Sequence, residues 1–195
     1  MDSRIKQIQQ KIDELEIALH KEYELLAEKY GFSIEQKRVE FLQHFKDKNR
    51  TFRIPAWKYA IPANIRHVLS LPFIYMMIVP TVILDFFLTI YNWTALPLYH
   101  IPIVKRGDFI VYDRQFLDYL NWIQKLNCIY CTYVNGVFAY AVEIGGRTER
   151  YWCPIKAAHK PKAYNNWYND YADYGNPEEW QEKFNKSEAF EGLKK

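Results

Sequence analysis

Residues 68–99, VLSLPFIYMMIVPTVILDFFLTIYNWTALPLY, hold one charged side chain, Asp85, in 32 positions. A helix needs about 20 apolar residues to cross a hydrocarbon core, so this run is ample for one crossing but short of the roughly 40 needed for two. Two arrangements follow. In one, a single membrane helix covers about 68–91 and kinks at Pro80, because proline removes a backbone donor and crowds the preceding turn. In the other, Pro80 and Asp85 mark the turn of a re-entrant helical hairpin that leaves both chain ends on one face. Basic residues flank the run on both sides: Lys48, Arg50, Arg53, Lys58 and Arg66 before it, Lys105 and Arg106 after it. Lys and Arg mark the cytoplasmic surface, which favours the hairpin.

Asp85 is the costly residue of the run, since a carboxylate at the centre of a membrane helix costs roughly 2.5–3.5 kcal/mol on insertion scales. It demands a partner. One reading is a proton or ion site, or a contact with another subunit; the plainer one is an interfacial or protonated carboxyl near a turn. Tyr75, Tyr91, Trp93 and Tyr99 suit the aromatic belt of a bilayer interface.

The net charge of +3 is concentrated between Lys37 and Arg66. A basic collar beside an apolar run fits anionic lipid headgroups and gives no indication of nucleic-acid binding. Residues 1–30 are charged throughout and lack the apolar core of a cleavable signal, so the membrane run is expected to act as its own insertion signal.

Upstream, residues 2–30 place Ile5, Ile8, Ile12, Leu15, Leu19 and Leu26 at alternating three- and four-residue steps, with Glu22 interrupting the seam. This predicts a short coiled-coil helix ended by Gly31, for self-association or docking on a partner helix, or else a helix packed on its own domain. A second amphipathic helix is expected over about 33–48, capped by Ser33. Next comes an interfacial stretch in which basic residues alternate with Phe52, Ile54, Trp57, Tyr59 and Ile61. Downstream, Phe109 to Tyr112 suggest a brief extended piece. Asp113 predicts the cap of a helix over about 114–127, with Phe116, Leu117, Leu120 and Ile123 on its apolar side.

Three cysteines make no disulfide framework and suggest reduced thiols in the cytoplasm. Cys128, Cys131, Cys153 and His159 form C-x2-C, a 21-residue gap and C-x5-H, a donor set that suits tetrahedral zinc; iron is less favoured because a fourth cysteine is missing. The site requires the chain to fold back. A continuous helix over 132–152 would separate Cys131 from Cys153 by about 30 Å. Asn135-Gly136 is a hairpin signal and Gly145-Gly146 a potential helix break, whereas Ala139, Ala141 and Arg147–Arg150 favour helix. A shared metal site, buried structural thiols and a redox pair at Cys128/Cys131 all remain open here. Glu143 and Glu149, with Asp113 or Asp118, form a weaker carboxylate alternative to a solvated face.

The segments LNCIYCTYVNGVFAYAVEI, RTERYWCPIKAA, VPTVILDFFLTIYNW and IPIVKRGDFIVYDR resemble a family of bacterial membrane-associated proteins that carries no established activity. The resemblance covers most of the chain and implies bacterial origin and membrane association. This chain departs from the family pattern at Gly145-Gly146, where an Ala pair is usual, and at Ala157, where a His is usual. Both departures point to a helix through this region and away from His159 as a ligand. No P-loop, G-x-S-x-G, H-E-x-x-H or dinucleotide fingerprint is present.

The tail predicts a short helix opened by Asn176-Pro177, with Trp180 and Phe184 one turn apart. The expected chain is therefore mainly α: a coiled-coil helix (1–31), a basic amphipathic collar (32–67), a membrane segment (68–99), a small helical Cys-containing domain (100–160) and an aromatic polar tail (161–195). It reads as an accessory or scaffold subunit at the bacterial inner membrane, with its soluble parts in the cytoplasm. The alternative is a metal-dependent or redox protein that uses the cysteines on a lipid or quinone-like substrate.

Overall fold

The computed structural model describes residues 3–35, 38–60, 65–159 and 161–193, and it is mainly helical. It divides into two compact units: residues 1–62 with Asp113–Leu126, and Ala63–Tyr112 with Asn127–Lys195.

The first unit begins with α1 (Ser3–Tyr30), an uninterrupted helix of 28 residues. Gly31 ends it as predicted, at φ +63° with its N–H returned to Glu28 O at 3.2 Å. A side chain there would also strike the Phe45 ring, since a Cβ would lie 2.1 Å from it. The predicted helix over 33–48 is corrected: an antiparallel hairpin forms from β1 (Phe32–Glu35) and β2 (Arg38–Phe41), and helix starts only at α2 (Gln43–Thr51). Ile34 opposite Val39, and Phe32 opposite Phe41 with rings 5.7 Å apart, are β-branched and aromatic cross-strand pairs. Such pairs override a helical spacing. A short α3 (Ala56–Ala60) follows, and Ile61 lies outside the described residues.

The predicted helix at 114 is corrected too. Only a 3₁₀ turn forms at Arg114–Phe116, and Asp113 makes no side-chain cap. The helix start belongs to Asn121: its Oδ1 accepts from Gln124 N, and Gln124 Oε1 accepts from Asn121 N, both at 3.0 Å. This reciprocal capping box satisfies two orphan donors of α6 (Trp122–Trp152).

The second unit is built on two long helices. The apolar run forms α4 (Ile65–Met76) and α5 (Ile78–Leu98), interrupted at the single residue Met77. Pro80 causes the interruption, because it has no N–H to direct at the Met76 carbonyl. The helix then continues through both Pro80 and Asp85, so the re-entrant turn expected there is corrected: proline at the third position of a helix is tolerated and does not reverse the chain. Together α4 and α5 form the one helix among the described residues long and apolar enough to cross a membrane, Ile65–Leu98.

Helices α5 and α6 run parallel within this unit. The contacts of the apolar run with α6 climb together, from Tyr75 of α4 with Asn127 to Asp85 with Tyr133 and Tyr91 with Thr148 on α5. Parallel neighbours need a return connection, and residues 99–112 supply it as an extended strap. The reversal is a Schellman motif: Ile101 N donates to Leu96 O at 2.9 Å, His100 N donates to Pro97 O at 3.0 Å, and His100 takes the left-handed position at φ 58°. Leu96 and Ile101 form the hydrophobic contact of that motif, and with Val104, Tyr140, Ile144 and Phe190 they make the core.

Helix α6 is continuous through Asn135-Gly136 and Gly145-Gly146, which corrects the expected hairpin and break. Asn135 turns its amide back to Cys131 O at 2.9 Å, one helical turn earlier. Gly136 is there for space. A Cβ on it would lie 2.8 Å from Phe109 O and Ile110 Cγ1 of the strap. Gly146 plays the same part against Asn165 and Trp167 of the C-terminal segment. That segment includes α7 (Pro177–Lys183), capped as predicted by Asn176, whose side chain accepts from Glu179 N at 3.2 Å. Trp180 and Phe184 stack at 4.8 Å.

Candidate functional site

Three polar residues of α5, Thr81, Asp85 and Asn92, point inward, while Thr94 is exposed and bonds the Ile90 carbonyl. Thr81 and Asn92 are buried and the Asp85 side chain is 13 % exposed. Val79, Val82, Ile83, Phe86, Phe87, Ile90 and Trp93 face outward. A helix of a water-soluble fold places its apolar stripe on the core; α5 does the reverse.

Each inward polar group has a partner. Thr81 donates to Met77 O at 2.7 Å. Asn92 clamps the strap as a backbone would, its amide donating to Val104 O at 3.2 Å and its oxygen accepting from Val104 N at 2.8 Å. Asp85 is met by Arg106 in a two-pronged pair, Nε to Oδ1 at 3.0 Å and Nη2 to Oδ2 at 2.6 Å, and Tyr133 donates its hydroxyl to Oδ2 at 3.0 Å. The guanidinium lies 5.9 Å from the Tyr133 ring centre. The cluster is thus a charge-neutral latch between α5, the strap and α6.

The C-terminal half of α6 carries a second network. Arg147 donates to Glu143 Oε1 at 2.8 Å and to Pro102 O at 2.7 Å, while Trp167 Nε1 donates to the same Glu143 oxygen at 3.2 Å. Arg150 pairs with Asp170 and donates to Lys183 O at 2.8 Å. The Tyr171 hydroxyl lies 3.0–3.2 Å from Glu149 Oε2, Gly146 O and Asn165 Oδ1, and desolvation raises its pKa. Among the described residues no buried side-chain nitrogen or oxygen lacks a partner.

The four residues of the expected zinc set do not converge. Cys128 and Cys131 sit one turn apart in the first half of α6, Cys153 lies just past its end, and His159 is exposed beyond it. The 22 residues of helical chain from Cys131 to Cys153 span about 33 Å, far outside the reach of one ion. Glu143 and Glu149 are taken up by the bonds above, and Asp118 lies 3.9 Å from Arg50 within the first unit. Among the described residues no three His, Cys, Asp or Glu side chains are grouped to hold a metal.

Asp85 was legible from sequence as a residue needing a partner. Arg106 was read only as a flanking charge, although it is the first Arg after the run and its guanidinium is the group that matches a carboxylate two-pronged. Tyr133, Asn92 and Trp167 carried no signal of spacing. No protein-family description, curated protein or solved structure matches this chain.

Proposed function

We propose that this chain is a membrane-anchored accessory or scaffold subunit of a bacterial inner-membrane assembly, with α5 as its anchor. The observation that carries the reading is the inverted α5: polar side chains are satisfied inside the chain, and only 6 % of the most apolar window is buried. Lipid is the solvent that such a surface requires. The 21 residues of α5 match the roughly 20 of one crossing. The strap fits the same environment, since Ile101, Val104 and Ile110 are buried and the Val104 and Pro102 backbone groups are bonded by side chains. Non-helical backbone is tolerated at membrane depth only when covered in this way.

The basic residues Lys48, Arg50, Arg53, Lys58 and Arg66 support a cytoplasmic N-terminal side with affinity for anionic headgroups. Leu15, Leu19, Leu26 and Tyr30 of α1, all exposed, support docking of that helix on a second copy or a partner helix. The resemblance to bacterial membrane-associated proteins agrees with this reading.

The test is extraction and labelling of the full chain expressed in bacteria. The reading expects resistance to alkaline carbonate, and labelling of Cys153 by an impermeant maleimide on the opposite membrane face from a Cys introduced at Arg66, which puts the Cys153 end outside the cytoplasm and replaces the cytoplasmic side expected for it from the sequence. Release by carbonate into the soluble fraction overturns it. Truncation of α1 is expected to shrink the detergent-solubilised particle by more than the mass removed.

A further inference from the structure

In the first unit, the segment from the end of α2 through α3 has a fixed backbone and uncovered side chains. Phe52 N and Arg53 N close α2 on Asn49 O and Arg50 O, each at 3.1 Å. Asn121, itself buried, then donates from Nδ2 to Ile54 O at 3.1 Å, and Tyr59 N donates to Pro55 O at 3.1 Å to open α3. Yet Phe52 is 69 % exposed and Trp57 61 %, with Ile54 exposed between them. Single exposed apolar residues are ordinary, but three in six positions of a pinned segment mark a contact surface. Residues 43–60 also carry five Lys or Arg against one acidic residue, Asp47. Asp47 and Asp118 both lie beside Arg50, at 3.8 and 3.9 Å. Lys48, Arg53 and Lys58 are exposed and meet no carboxylate among the described residues. Lys58 Nζ stands 5.3 Å from the Trp57 ring centre, so charge and ring share one place.

We propose that this surface is a docking ledge for anionic phospholipid, with Phe52, Ile54 and Trp57 in the interfacial layer and Lys48, Arg53 and Lys58 on lipid phosphates; this deepens the headgroup affinity given above and rests on the membrane reading of α5. Three observations select that occupant. The charge is complementary to a sheet of phosphates, and the cations left without carboxylates are the ones beside the apolar residues. Each exposed ring is followed directly by a cation, Phe52 by Arg53 and Trp57 by Lys58, whose apolar stem can lie along the interface while its head reaches phosphate. Ile54 separates lipid from a nucleic acid, because an aliphatic side chain gains from hydrocarbon and offers no ring for a base to stack on. The tether supplies the rest. Only residues 61–64 separate α3 from α4, a reach of at most about 18 Å, so a bilayer that holds α4 is always close to the ledge.

The experiment is amide hydrogen exchange of the full chain, read by mass spectrometry, in nanodiscs of phosphatidylcholine alone or mixed with phosphatidylglycerol. It compares the wild type with a triple variant, Lys48→Gln, Arg53→Gln and Lys58→Gln, and a double variant, Phe52→Ala and Trp57→Ala. In the wild type, residues 52–59 are expected to exchange about tenfold more slowly in the anionic discs, and high salt should erase the difference. The triple variant should lose it and the double variant should show a smaller one. All five side chains are exposed, so both variants fold, and unchanged exchange in α5 and α6 verifies it. Equal exchange of 52–59 in the two discs overturns the proposal, as does a difference that the triple variant keeps. Slowing by an added single-stranded oligonucleotide, with none from phosphatidylglycerol, overturns it and assigns the surface to nucleic acid. Slowing that depends on the number of chains per disc and not on the lipid overturns it in favour of a second copy. Co-elution separates the two levels: a chain that enters both discs without any difference at 52–59 loses the ledge and keeps the anchor, whereas one that enters neither loses the anchor and the ledge with it.

Discussion

Helices α5 and α6 lie side by side and solve opposite problems. Helix α5 turns an uncovered apolar surface outward, returns the hydroxyls of Thr81, Thr89 and Thr94 to its own backbone, and leaves Asp85 and Asn92 to be met by the strap and Tyr133. Helix α6 buries Glu143, Arg147 and Arg150 in its second half, and each is covered by strap or C-terminal residues that bond to it. The lesson is that polar groups dictate where a covering segment must go. Apolar surface only requires that water be absent, and lipid serves as well as protein.

The comparison is broken most strongly at Phe190, which is fully buried at the joint core. Phe190→Ala is expected to cost about 3–5 kcal/mol, whereas Phe87→Ala on the outward face of α5 should stay within about 0.5 kcal/mol in detergent. Thermal melts of the two variants make the contrast. Equal losses would mean that α5 is covered as α6 is.

The glycines of α6 give the next effect. Gly136→Ala sets a methyl 2.8 Å from the Phe109 carbonyl oxygen, for an expected loss of about 1–3 kcal/mol. Gly145→Ala meets nothing, and relief of the helical glycine should gain about 0.5–1 kcal/mol. Opposite shifts in denaturation midpoint from two glycines about two and a half turns apart on one helix are the signature to look for.

The latch comes third. A double-mutant cycle on Asp85→Asn and Arg106→Gln should return a coupling of about 1–2 kcal/mol, below that of a fully buried pair because the Arg106 side chain is 43 % exposed. Additive losses would leave Asp85 anchored by Tyr133 alone.

The smallest effects are in pH. Tyr171 has a folded pKa above its unfolded one, so its contribution is complete below the ordinary tyrosine range and is lost as pH rises through the folded value. Tyr171→Phe should therefore flatten the alkaline limb of the stability profile. Glu179 is lowered chiefly by its bond to Lys183, and next by the Asp173 N–H; its contribution is complete above the ordinary carboxylate range and lost as pH falls through the folded value. Glu179→Gln should flatten the acid limb, read by the Trp180 fluorescence of α7.

Much of the helical layout was legible, for identifiable reasons. The α1 period, Gly31 as its stop, the Asn176-Pro177 start and the apolar run all express local chemistry in adjacent residues. The hairpin at 32–41 was missed because Ile34, Phe41 and Phe45 also match a helical spacing, and cross-strand pairing decided between the two. Asn121-x-x-Gln124 was a readable capping box overshadowed by Asp113. For the candidate site, the need of Asp85 for a partner was legible, and the identity of that partner was not.

The sequence by itself determined that one run belongs away from water and that a carboxylate within it must be neutralised, because transfer energies are properties of the residues. Only the tertiary structure decided that Arg106 and Tyr133 neutralise it, that Gly136 and Gly146 are points of close approach, and that Cys131 and Cys153 stand a helix length apart. Each of these depends on α6 running unbroken and parallel to α5 with the strap between them. A glycine read locally signals a break, and it becomes a helical residue when another segment packs into the space that its missing side chain leaves.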